Sequence, residues 1–148
     1  MYLVTLATLL LGPPSQAEAT SVRAPTGVDA ETAILLGYPS AATALLGCSL
    51  LATTPCTARI AGRRGHIDLD APFFRPSRLT LTREHADPEI IVRPYVGHGY
   101  THQAAEVAAC LRAGLGESPT LPLSATIEVM RLLDRIRHAA ARQPDNQD

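Results

Sequence analysis

Gly62-Arg63-Arg64-Gly65-His66-Ile67-Asp68-Leu69-Asp70 is the stretch whose reading decides the fold. Gly-Arg-Arg-Gly reads as a tight turn. In the residues after it, Ile67 and Leu69 face one way and His66, Asp68 and Asp70 the other, the alternation of an antiparallel strand with one solvated side. Upstream, Cys56 to Ala61 is the strand that the turn reverses. Downstream, Pro72-Phe73-Phe74-Arg75-Pro76 interrupts the sheet, Ser77 to Arg83 alternates again, and Glu89 to Arg93 follows the turn residues Asp87-Pro88.

Further outward the same grammar holds. Ala17 to Ala24 reads as a strand, Thr26-Gly27-Val28-Asp29 as a turn, and Ala30 to Tyr38 and Ala41 to Ala52 as a hairpin joined through Pro39-Ser40. The last of these is apolar or small on both faces, so it is expected to be covered on both sides. Two segments change period. Ala104, Val107, Ala108, Leu111 and Leu115 predict one helix with a buried stripe, and Ile127, Met130, Leu133 and Ile136 predict a second. At the other end, Tyr2 to Leu11 reads as a helix stopped by Gly12-Pro13-Pro14. Strands followed by helices predict an α+β class, an open and mostly antiparallel sheet of about six or seven strands with helices packed on one face. Residues 1–141 are expected to form one domain and 142–148 a disordered polar tail.

Composition removes several function classes. With 46% hydrophobic and 18% charged residues the chain is globular. A net charge of −1 and no basic run longer than Arg63-Arg64 argue against nucleic acid and anionic membranes as partners. All 13 basic residues are arginine, which excludes lysine chemistry from this chain. Cys48, Cys56 and Cys110 have neither metal-site nor disulfide-framework spacing and read as small buried thiols. The apolar start followed by Ala17-Glu18-Ala19 mimics a secretory leader, but no Lys or Arg precedes the apolar run, and a cytoplasmic location is expected.

The chemical motifs are sparse. Gly97-His98-Gly99-Tyr100-Thr101-His102 lies where a dinucleotide fingerprint belongs, yet His102 replaces its third glycine and no second parallel strand follows, so no cofactor-binding residue is assigned. His98, His102 and Glu106 are spaced at four for a metal, but His98 sits between glycines ahead of the helix, and no metal ligand is assigned. Asp68 with Asp70 reads as a solvated pair beside arginines. Arg131, Asp134, Arg135 and Arg137 read as exposed ion pairs.

Two longer segments, Gly62 to Leu81 and Gly97 to Pro119, together with Thr26 to Thr32, Pro119 to Leu123 and Met130 to Arg137, resemble the C-terminal domain of the Gfo/Idh/MocA oxidoreductases, in the branch like dihydrodiol dehydrogenases. The resemblance runs from Tyr2 to Arg137. It implies half of an enzyme that uses NAD(P) on the CH–OH groups of sugars, cyclitols or dihydrodiols, with the cofactor bound by a separate Rossmann domain. It also implies a homodimer through the open sheet face.

In that branch a tyrosine within an Asp-x-Gly-x-Tyr pattern handles the proton beside a lysine from a Glu-Lys-Pro-like motif. Tyr2 matches the tyrosine, and Val4 and Thr5 match the positions after it; the lysine has no counterpart here. The resemblance therefore implies a truncated form, or a reading frame entered late, that binds no cofactor and is inactive alone. The alternative is a non-catalytic scaffold that pairs with full-length paralogues.

Overall fold

The computed structural model describes residues 1–97 and 99–142; the expected tail from 143 onward and His98 lie outside them. Two compact units divide the chain, Met1–Thr54 with Leu121–Asp148, and Pro55–Thr120.

The first unit holds α1 (Tyr2–Leu11), β1 (Gln16–Arg23), β2 (Asp29–Gly37), β3 (Thr43–Ser49) and a late helix, α3 (Leu123–Ala141). Gly12 stops α1: its φ of 77° suits a residue without Cβ, its N–H closes on the Thr8 carbonyl at 2.9 Å, and Pro13 and Pro14 carry no N–H to continue the helix. The three strands pair antiparallel in the order β1-β2-β3, with Leu36 opposite Ala17 and Ala44, and Ile34 opposite Ala19 and Leu46. Those rows face α1 and α3, and the core lies between: Val4, Ala7, Ala19, Ile34, Leu36, Tyr38, Val129, Leu132, Ile136 and Ala139. Burial raises the Tyr38 phenol pKa above its ordinary value.

The second unit holds β4 (Ala58–Gly62), β5 (Gly65–Leu69), β6 (Arg78–Arg83), β7 (Glu89–Val92) and α2 (Thr101–Arg112). Its strands form an antiparallel sheet in sequence order. Register puts Ile60, Ile67 and Leu81 on one face, and Arg59, Asp68 and Thr80 on the other.

The α+β class and the antiparallel pairing agree with the sequence reading, while the seven strands bond as two sheets, of three and four. After β3 the chain turns out of the ladder. The Ser49 hydroxyl accepts the N–H groups of Leu51 and Ala52 at 3.0 and 2.9 Å and donates to Glu31, and Pro55 has no N–H to offer.

Four burial expectations are corrected. β3 is covered on one face only, with Ala44 and Leu46 half-buried and Leu45 82% exposed. Cys48 and Cys56 are exposed and only Cys110 is buried, because Cys48 lies past the last core row of β3 and Cys56 precedes β4 in a loop. On α3 the buried stripe is Val129, Leu132, Ile136 and Ala139, while Ile127 and Met130 are about half exposed. Small residues explain that shift: Ala139 and Ala140 let the helix approach the Ala17 and Ala19 positions of β1 closely. On α2 the expected stripe is exposed at Val107, Leu111 and Leu115, and Cys110 is buried instead.

The cysteine correction yields a direct check. In the folded chain, iodoacetamide is expected to modify Cys48 and Cys56 rapidly and Cys110 only after denaturation, as read by peptide mass spectrometry. Burial, then the charge and hydrogen bond of Glu106, raise the Cys110 thiol pKa and leave it little thiolate.

Candidate functional site

Tyr2 opens α1, which has apolar side chains on every side. Val4 and Ala7 face the core, whereas Tyr2, Leu9 and Leu10 are 61%, 71% and 50% exposed. A helix apolar all round is made to be covered all round. Its outer side thus carries the one phenol that the sequence singled out, on a ridge with Leu9. No lysine of this chain can share a proton with that phenol.

In the second unit the aromatic side chains converge on two loops. Both phenylalanines and two of the four tyrosines of the chain lie between residues 73 and 100. Phe73 is buried and meets Phe74 edge to face, with centroids 5.7 Å apart and planes at 83°. The backbone holds this loop in place, with Phe73 N–H donating to the Cys56 carbonyl and Arg75 N–H to that of Pro72, both at 2.9 Å. The Arg75 guanidinium stands over the Tyr95 ring, 5.5 Å from its centroid. A Cβ at Gly99 would lie 3.9 Å from Arg75 Cδ, so the glycine loop borders the same place. Tyr100 is 70% exposed beside it in sequence. The exposed rings of Phe74 and Tyr100, with a planar cation between their loops, suit a cyclic, oxygen-rich ligand whose C–H faces pack on the rings and whose oxygens meet the guanidinium. The sequence reading treated Pro72 to Pro76 only as a break in the sheet. The clustering of rings beside Arg75 was the signal it passed over.

The other sequence candidates fall into structural roles. Gly99 and Tyr100 lead into α2, whose first residues are Thr101 and His102, and every strand pairing among the described residues is antiparallel, unlike the parallel βαβ frame of a dinucleotide cradle. Glu106 turns inward, where its carboxylate accepts from Ser118 Oγ, from Thr120 Oγ1 at 3.4 Å and from Cys110 Sγ at 3.7 Å. This knot binds the loop after α2 back to the helix and sets which face is buried. His102 is exposed, and among the described residues no three His, Cys, Asp or Glu side chains are grouped to hold a metal.

Asp68 and Asp70 are held by arginines. Arg59 grips Asp68 across the strands with two hydrogen bonds, at 2.6 and 2.9 Å, and His66 approaches the same carboxylate at 3.4 Å. Arg78 meets Asp70 at 3.2 Å. The hydrogen bond from Arg59 holds the Asp68 carboxyl below its ordinary pKa. The folded state therefore keeps this group ionised to lower pH than the unfolded state does. The pair's contribution is complete above the unfolded carboxylate pKa of about 3.9 and disappears as pH falls through the lower folded value. Asp68→Asn is expected to remove that acid-side loss, so mutant and wild type converge in Tm as pH drops and separate slightly near neutrality. The exposed position keeps the effect small.

No protein-family model matches the chain. It is 30% identical to the trans-1,2-dihydrobenzene-1,2-diol dehydrogenase of Homo sapiens over 146 residues, covering 94% of this chain and 44% of that enzyme. The Bos taurus enzyme of that name is 30% identical over 132 residues, 85% of this chain and 39% of its own length. The chain thus spans less than half the length of the curated relatives it matches. Among solved structures, aldose-aldose oxidoreductase from Caulobacter crescentus overlays with a TM-score of 0.80 at 18% identity, over 95% of this chain and 43% of that one. Levoglucosan dehydrogenase, solved with NADH and levoglucosan, overlays with a TM-score of 0.77 at 18% identity, over 94% of this chain and 46% of that one. The sequence match identifies the chain as homologous to the C-terminal part of the dihydrodiol dehydrogenases, and the overlays give it the fold of the Gfo/Idh/MocA oxidoreductases.

Proposed function

We propose that this chain supplies the substrate-binding and assembly half of an NAD(P)-dependent oxidoreductase that acts on CH–OH groups of sugar, cyclitol or dihydrodiol alcohols. The sequence match to dihydrodiol dehydrogenases along 94% of the chain carries this reading. The aromatic and arginine surface of Phe74, Arg75, Tyr95 and Tyr100 serves as a ligand-facing surface, and Tyr2 is the proton-handling phenol. In this reading a separate domain holds the cofactor, and no step of its chemistry is assigned to residues of this chain.

Assembly is the second part of the proposal. On the outer face of the three-stranded sheet, Val22, Leu35 and Leu45 are exposed around the small residues Thr20, Ala33 and Gly47, with Glu31 opposite Val22 and Glu18 opposite Leu35. Exposed apolar side chains gathered on one sheet face favour pairing with a second copy. The test has two readings on the 148-residue chain alone. Titrated with NADH or NADPH, it is expected to give no saturable change in nicotinamide fluorescence, and supplied with NAD⁺ or NADP⁺ it is expected to give no turnover of the alcohols. Sedimentation equilibrium is expected to show a dimer that Leu45→Asp converts to monomer. Saturable nucleotide binding would remove the first part of the proposal, and a wild-type monomer the second. The scaffold reading shares the dimer and differs only in lacking turnover when the chain is joined to a cofactor domain.

A further inference from the structure

Within the first unit a small pocket of about 250 Å³ lies between the end of α1, the Pro13–Pro14 link and α3. Its lining brings together Thr8, Arg131 and Arg135 with Glu128, over a floor that includes Leu132. Two features distinguish it from an ordinary charged surface. Arg135 is pinned, its guanidinium donating to the carbonyls of Pro14 and Ser15 at 3.4 and 3.3 Å, so one cation is fixed at the wall before any ligand arrives. Arg131, one turn earlier on α3, makes no ion pair among the described residues, whereas Arg137 on another side of the helix is held by Asp134.

We propose that this pocket binds a small oxyanion, the phosphate or carboxylate group of a metabolite, with Arg131 as the mobile arm and Arg135 as the fixed one. Two guanidiniums present planar forks that match such oxygens. The volume admits one such group and leaves the rest of the ligand in solvent. Glu128 opposes the anion. With two arginines and one carboxylate in the lining, the balance remains one positive charge, and Glu128 is the group that limits affinity.

The site is independent of any dehydrogenase activity and is tested on the 148-residue chain itself. Inorganic phosphate and acetate are titrated separately into the ¹⁵N-labelled protein, at ionic strength held constant with chloride. The expected result is saturable shifts at Thr8, Arg131 and their neighbours with at least one of the two ions, and the tighter ion identifies which oxyanion the site prefers. Arg131→Gln is expected to weaken binding about tenfold or more, about what a charge-assisted hydrogen bond is worth. Glu128→Gln is expected to tighten binding, a sign that a merely structural role for these residues does not produce. Both positions are exposed on α3, so the variants fold. Linear, non-saturating shifts with both ions, or affinities unchanged in Arg131→Gln and Glu128→Gln, would overturn the proposal.

Discussion

Gly65→Ala is expected to unfold the four-stranded sheet. Gly65 starts β5 opposite Arg83 of β6, with φ at 150°, where an L side chain rarely fits. A Cβ built there falls 2.1 Å from the Thr82 carbonyl oxygen and 3.0 Å from Arg83 Cα, both backbone atoms of a strand paired on its other edge to β7. Neither can retreat without breaking the pairing of β6 with β5. The strain and the clash together are expected to cost about 3 kcal/mol or more, a large part of the stability of a small unit. Loss of the cooperative thermal transition of this sheet, followed by hydrogen exchange at Ile67 and Leu81, is the measurement. Gly47→Ala is the control, since nothing lies within 4 Å of a Cβ there. A Gly65→Ala protein as protected as wild type at both amides would refute the register described above.

Leu36→Ala is expected to have an effect of similar size in the other unit. Leu36 is fully buried on the central strand, and its cross-strand neighbours on both sides are alanines, Ala17 and Ala44. Neither cross-strand alanine is long enough to fill the space, so much of the cavity remains open. Lost burial and the cavity together are expected to cost about 3 kcal/mol, or about 10 °C in Tm. Measured against the monomeric Leu45→Asp background, Leu35→Ala, on the opposite face and 44% exposed, is expected to cost less than about 1 kcal/mol. Equal losses for the two variants would mean that the three-stranded sheet is covered on both faces.

Strand positions were readable because their causes are local. Gly62-Arg-Arg-Gly65, the alternation of Ile67 and Leu69 and the stop at Gly12-Pro-Pro14 each act within a few residues, and β4, β5, β6 and α1 follow from them. Helix faces were harder, because both late helices carry more apolar side chains than one stripe needs. On α3 close packing against the alanines of β1 chose the stripe of Val129, Leu132, Ile136 and Ala139. On α2 the choice came from Glu106, which draws Ser118 and Thr120 to the side of Cys110. A polar knot with a loop twelve residues away has no periodic signature. The aromatic loops were missed for a related reason, since Phe74 and Tyr95 are far apart in sequence and only the fold brings the 71–76 and 94–100 segments to one place. Tyr2 was legible only through the family pattern.

The most direct test of the central claim is a chimera in which this chain replaces the matching part of the Homo sapiens relative, assayed for nicotinamide-dependent turnover of that enzyme's own substrate. The account predicts measurable turnover that Tyr2→Phe lowers by about 100-fold or more, the loss expected when a proton-handling group is removed. A chimera that melts cooperatively and binds the nicotinamide cofactor, yet turns over no faster than its Tyr2→Phe variant, would contradict it.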